Sequence, residues 1–146
     1  MARDTTPGTV DTILVVDDHQ EVAKALVALA RDLGYVATAV HGGQQALDHV
    51  RASPPALVLL DLQMPGVSGF DVLRALRADR RYDGMPVVVC SAAPAWQVRD
   101  EVIRLGAQDF IAKADAYDEL GAALERHLAG RRSAEAAAAA SVTPAR

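Results

Sequence analysis

Three stretches of the chain are apolar without interruption: Ile13-Leu14-Val15-Val16, Leu57-Val58-Leu59-Leu60 and Val87-Val88-Val89-Cys90. A strand that is apolar at every position is buried on both faces, as central strands of parallel sheets are. Two weaker runs, Tyr35 to Val40 and Gln108 to Ala112, predict strands at or near the sheet edges. Helical spacing follows each run. Val22, Leu26, Leu29 and Leu33 form one stripe that Gly34 closes. Phe70, Leu73 and Leu76 follow Ser68, a good N-cap, while Val98, Val102 and Leu105 precede Gly106. Leu120, Leu124 and Leu128 precede Gly130, after an Asp115-x-x-Asp118 start that resembles a capping box with Asp in place of Glu. Gly42-Gly43 gives the second helix a weak start, and Pro94 suits the first position of the fourth, behind Ala93, a poor N-cap. Five strands alternating with five helices predict a doubly wound α/β sandwich with a five-stranded parallel sheet and right-handed crossovers.

The ends differ from this middle. Residues 1–10 are polar, with Pro7 and Gly8, and read as a loose leader. Residues 131–146 start at Arg131-Arg132, pass through five alanines (Ala136 to Ala140) and read as a flexible Ala-rich tail. That leaves 11–130 as one domain, in keeping with a chain of 146 residues. Aromatics are 4% of the chain, which argues against a function built on stacking. The net charge of −4 offers no general basic field for direct nucleic-acid binding. No apolar run approaches the ~20 residues of a membrane helix, so no membrane insertion is expected. The start shows no apolar signal segment, and a lone cysteine, Cys90, fits a reducing cytoplasm and reads as buried packing.

In open α/β sheets the functional crevice lies beyond the carboxyl ends of the strands. The first strand delivers Asp17 and Asp18 there, the third Asp61, the fourth Ser91 and the fifth Lys113. Singly, each has an ordinary reading: acids at a helix N-terminus, a turn serine, a surface lysine. Together they make a cluster of carboxylates whose mutual repulsion, on the order of 4 kcal/mol per pair at ~4 Å and an effective dielectric of 20, must be relieved either by spreading them apart or by a cation. Oxygen-only donors suit Mg²⁺ or Mn²⁺, which keep waters and accept phosphate oxygens. Lys113 and Ser91 then supply a point charge and a neutral donor around a phosphoryl group.

With those residues in place the chain resembles the receiver (response regulator) domain of two-component signalling. The most specific segment is Asp61-Leu-Gln-Met-Pro-Gly-Val-Ser-Gly69, with Val15-Val16-Asp17-Asp18 before it and Gly106-Ala107-Gln108-Asp109-Phe110-Ile111-Ala112-Lys113 after it. The resemblance implies a flavodoxin-like sheet of order 2-1-3-4-5. It implies that Asp61 accepts a phosphoryl group from a histidine kinase or phosphotransfer protein. Asp18, Asp61 and the backbone carbonyl of Gln63 would hold Mg²⁺, with Asp17 acting through water. Lys113 would pair with the carboxylate and then with the phosphoryl group. Ser91 and Phe110 would switch together, Phe110 sterically, since it lacks a tyrosine hydroxyl. Ala92 would leave the acceptor accessible, and Gln63 and Ala93 stand where the family tunes phosphoryl lifetime. Trp96 and Tyr117 are placed on a partner surface, against the alternative that Trp96 packs internally. The face of the fourth helix, fifth strand and fifth helix would meet a downstream protein or a second copy.

One departure is Ala114, where the family usually has a cis proline after its lysine. A cis bond without proline costs ~2.5–4 kcal/mol, which favours a trans link here. The expectation is therefore a stand-alone phosphorylation switch rather than an enzyme. Its rival is a pseudo-receiver adaptor that works unphosphorylated. An Asp-nucleophile phosphatase fits less well, because such enzymes place Asp-x-Asp after the first strand. A flavin or dinucleotide binder lacks Gly-x-Gly-x-x-Gly there. The four histidines are scattered, and the balance of expectation leaves His19, His41, His49 and His127 as solvated positions, His19 being the one near enough to touch the site.

Overall fold

The computed structural model describes residues 11–128. The leader 1–10 and the tail 131–146 lie outside the described residues. In chain order the elements are β1 (Thr12–Val16), α1 (Gln20–Asp32), β2 (Val36–Val40), α2 (Gly43–Ala52), β3 (Leu57–Leu60), α3 (Gly69–Ala78), β4 (Val87–Ser91), α4 (Ala95–Arg104) and β5 (Asp109–Ala112). A last helix, α5, covers residues 116–128. All strand pairs are parallel, in the order β2-β1-β3-β4-β5. The expected doubly wound, flavodoxin-like sheet is the one observed.

Period two along each strand divides the interior into two cores. Leu14, Val16, Val58, Leu60, Val87, Val89 and Phe110 face α2, α3 and α4, meeting Leu47, Val72, Leu73, Leu76 and Val102. Ile13, Val15, Leu57, Leu59, Val88, Cys90 and Ile111 face α1 and α5, meeting Leu26, Leu120, Leu124 and Leu128. At ~25 cal/mol per Å² of apolar surface removed from water, each buried Leu or Val contributes roughly 1.5–3 kcal/mol before entropy is charged.

Several boundaries differ from the sequence expectations; β5, for one, starts at Asp109 and leaves Gln108 outside the strand. Tyr35 sits in the turn after Gly34 (φ 99°), its N–H donating to Ala30 O, so β2 starts one residue later. Pro94 is the N-cap of α4, with extended backbone (φ −63°, ψ 141°), and not its first helical residue. The expected capping box at Asp115 is absent: Lys113–Asp115 form a 3₁₀ turn that runs directly into α5, so the cap lies upstream at Ala112. The capping box occurs instead at α3, where Ser68 Oγ accepts from Asp71 N and the Asp71 carboxylate accepts from Ser68 N. No helix among the described residues is long and apolar enough to cross a membrane.

Arg77 fastens the amino ends of the strands. Its guanidinium donates to Gly106 O, Tyr82 O, Met85 O and Gln108 Oε1 at 2.7–2.9 Å, and Gln108 Oε1 also accepts from Val87 N. One side chain of α3 thus ties down the entries of β4 and β5.

Candidate functional site

Register brings the site together. Val16 pairs with Leu60, so the next residues, Asp17 and Asp61, leave adjacent strands at the same level. Ser91 pairs with Ala112, so Lys113 leaves β5 beside the end of β4. By alternation, Asp17, Asp61 and Lys113 continue the side of the sheet that carries Val15, Leu59 and Ile111. Ser91 continues the opposite side, which carries Val89 and Phe110.

The ammonium of Lys113 lies between two buried carboxylates, 2.8 Å from Asp17 Oδ2 and 3.3 Å from Asp61 Oδ1. The side chain of Asp17 is only 2% exposed and that of Asp61 4%. Asp17 is occupied on both oxygens, because Oδ1 also accepts from His19 N at 2.9 Å. Asp18 is different: its Oδ1 is buried and has no hydrogen-bond partner. A buried carboxylate oxygen without a donor is costly unless something positive meets it. Asp17, Asp18 and Asp61 with Lys113 carry a formal charge of −2, the charge that one divalent cation cancels. The donor set therefore fits a hard cation such as Mg²⁺.

Burial raises the Asp61 carboxyl above its usual range; Lys113 opposes this, and the charges of Asp17 and Asp18 add to it. Burial alone would lower the Lys113 ammonium, but its hydrogen bond to Asp17 and the charges of Asp61 and Asp17 outweigh burial and leave it raised. The ammonium is thereby held protonated, while the Asp61 carboxylate is charged at a cost that a further cation would relieve. Burial pushes the Cys90 thiol up to about 12, which agrees with its reading as packing.

Ser91 is fully buried, and its Oγ accepts from Ala93 N at 3.1 Å. Phe110 is buried in the core on the α4 side, and Gln63 is exposed on the loop after β3. The described peptide bonds are all trans, Lys113–Ala114 included. Gly69 begins α3 pressed against the loop that follows β3: its N–H donates to Leu62 O, and a Cβ there would strike Asp61 O and come within 2.6 Å of Leu62 Cα. Trp96 and Tyr117 do not pack internally; they are 84% and 81% exposed.

Three of the four histidines depart from expectation. The His19 ring, though 70% exposed, faces the acidic pair, with Nδ1 3.6 Å from Asp17 Oδ1 and 3.5 Å from Asp18 Oδ1. Donor atoms of Asp17, Asp18 and His19 all lie within 4.8 Å of one another, and Asp61 falls outside that trio. His41 Nδ1 lies 3.1 Å from Asp17 O, and His127 is paired with Asp109 rather than solvated. A histidine beside an aspartate gives little sequence signal of this, since ring direction is set by the turn into α1.

Residues 13–125 match the model of the response regulator receiver domain family. The DNA-binding response regulator MtrA of Mycolicibacterium paratuberculosis is 42% identical over 118 residues, which are 80% of this chain and 50% of that protein. Among solved structures, the receiver domain of NtrX from Brucella abortus superposes with a TM-score of 0.73 at 30% identity, covering 80% of this chain and 97% of that one. The response regulator TrrA of Thermotoga maritima, solved in complex with Mg²⁺ and BeF, gives a TM-score of 0.73 at 26% identity, covering 82% of this chain and all of that one. The chain belongs to the response regulator receiver domain family of two-component signalling. It spans about half the length of the curated relatives it matches.

Proposed function

We propose that Asp61 is the phosphoacceptor of this receiver, taking a phosphoryl group from the phosphohistidine of a histidine kinase or phosphotransfer protein. The observation that carries the reading is the arrangement of one ammonium between Asp17 and Asp61 beside an unpartnered buried oxygen on Asp18. In this reading an Asp61 carboxylate oxygen attacks phosphorus, the P–N bond breaks, and its electron pair leaves with the donor imidazole. Lys113 stays within reach of the incoming phosphoryl oxygens and balances their charge. Asp18, Asp61 and the Gln63 carbonyl hold the divalent cation, and Asp17, with both oxygens engaged, acts one step removed. When bound, Mg²⁺ supplies neutralisation of phosphoryl charge.

Ser91 accepts from Ala93 N, which leaves its hydroxyl proton for a phosphoryl oxygen. Drawing Ser91 toward the acceptor shifts the loop into α4, and Phe110, on the same side of the sheet, follows sterically. Output is then a change in affinity at the exposed Trp96 and Tyr117 surface, toward a downstream protein or a second copy through α4, β5 and α5. Phosphoryl exchange with a kinase places this action in the cytoplasm.

The rival, an adaptor indifferent to phosphorylation, rests on Ala114. That substitution does not carry the ammonium away, since Lys113 stays 3.3 Å from Asp61. The test is labelling by acetyl phosphate, read by intact mass. Wild type gains one phosphoryl group in Mg²⁺ and none in chelator, and Asp61→Asn gains none. Undiminished labelling of Asp61→Asn overturns the assignment.

A further inference from the structure

The imidazole of His19 has no part in the reading above, yet it faces the same acids. We propose that His19 Nδ1 is a nitrogen donor to the cation held by Asp18, and that it shifts this site's preference from Mg²⁺ toward imidazole-accepting ions such as Mn²⁺, Co²⁺ and Ni²⁺. The inference rests on the proposed cation at the acidic end of the sheet and specifies its chemistry.

Three observations carry it. First, Nδ1 stands 3.5 Å from Asp18 Oδ1 and 3.6 Å from Asp17 Oδ1, too far for good hydrogen bonds. Two donors sharing one ion at ~2.1 Å, with angles of roughly 90–110°, stand about 3.0–3.4 Å apart, close to what is seen. Second, Asp18 Oδ1, the carboxylate oxygen nearest the ring, is the buried atom without a hydrogen-bond partner. Third, the ring is free for this use. His19 is the N-cap residue of α1, its side chain makes no cap hydrogen bond, and its backbone is pinned by donation to Asp17 Oδ1. Carboxylate and water suffice for Mg²⁺, which gives up its waters reluctantly, whereas an imidazole nitrogen adds real affinity for first-row transition ions.

The alternative is a ring that only crowds the cation without binding it. Calorimetric titration of the untagged full chain with MgCl₂ and CoCl₂ separates the two, using wild type, His19→Ala and His19→Asn. The side chain is mostly exposed and makes no cap, so both variants fold. Both are expected to lose about tenfold in Co²⁺ affinity while Mg²⁺ affinity changes less than twofold. The visible absorption of bound Co²⁺ should move to that of an oxygen-only site. Unchanged Co²⁺ affinity and spectrum, an equal loss of both ions, or tighter Mg²⁺ binding in the variants overturns the inference. Mg²⁺ uptake with no Co²⁺ discrimination refutes His19 alone, whereas a wild type that binds neither ion refutes the cation site as well.

Discussion

Replacing Lys113 by methionine removes the ammonium between Asp17 and Asp61 while keeping most of the side-chain volume. At an effective dielectric of 20, its gross attractions are on the order of 6 kcal/mol at 2.8 Å and 5 kcal/mol at 3.3 Å. The net effect is smaller, because desolvation already opposes both. Breaking a fully buried pair typically costs about 3–5 kcal/mol. Lys113 keeps 19% of its side chain exposed, so water reaches the gap it leaves, and we expect about 2–3 kcal/mol. That is a large part of the ~5–15 kcal/mol of a typical domain. Urea unfolding at neutral pH without divalent cations reads it.

The pH dependence gives a second check. Burial already raises the Asp61 carboxyl, and the lysine opposes that rise, so the variant's carboxyl is raised further. A folded state that binds its proton at higher pH than the unfolded chain gains relative stability on acidification. The deficit is therefore largest at neutral pH and shrinks progressively as the pH falls into the carboxylate range. Added Mg²⁺ recovers part of it in the variant. A loss under about 0.5 kcal/mol at neutral pH, or one independent of pH, refutes the reasoning.

Gly69→Ala forces a methyl group into the backbone of Asp61 and Leu62, so it should cost more than about 2 kcal/mol in denaturant and weaken Mg²⁺ uptake; a variant as stable as wild type contradicts the packing. Arg77→Ala removes four hydrogen bonds at the far end of the sheet, although Gln108 Oε1 keeps Val87 N and Tyr82 O keeps Met85 N. Thermal unfolding should show a loss of roughly 2–4 kcal/mol, with Mg²⁺ affinity within twofold of wild type in the folded protein. The Cys90 thiol, buried and pushed up to about 12, should resist a thiol-selective disulfide reagent at mildly alkaline pH until urea unfolds the chain; rapid native labelling counts against its burial.

What the sequence carried was whatever depends on local pattern. Uninterrupted aliphatic runs reveal β1, β3 and β4, and the residue that ends each run reveals the acids and Ser91, because the end of a parallel strand lies at the sheet's carboxyl edge whichever face its side chain takes. Features that arise from contact between distant segments were not legible. Arg77 reads as one more charge on an amphipathic helix; only folding brings Gly106, Tyr82 and Met85 around it. His127 meets Asp109 across 18 positions of chain. The direction of the His19 ring depends on the turn between β1 and α1. At Asp115, a tighter 3₁₀ turn replaced the expected cap, a choice between i+3 and i+4 bonding that composition does not settle.

The chain's single tryptophan stands in water on the first turn of α4, just past the loop that carries Ser91. Its indole is therefore a built-in optical reporter. Covering that turn with another protein should shift emission toward the blue, with no dye attached and no second tryptophan in the chain to dilute the signal.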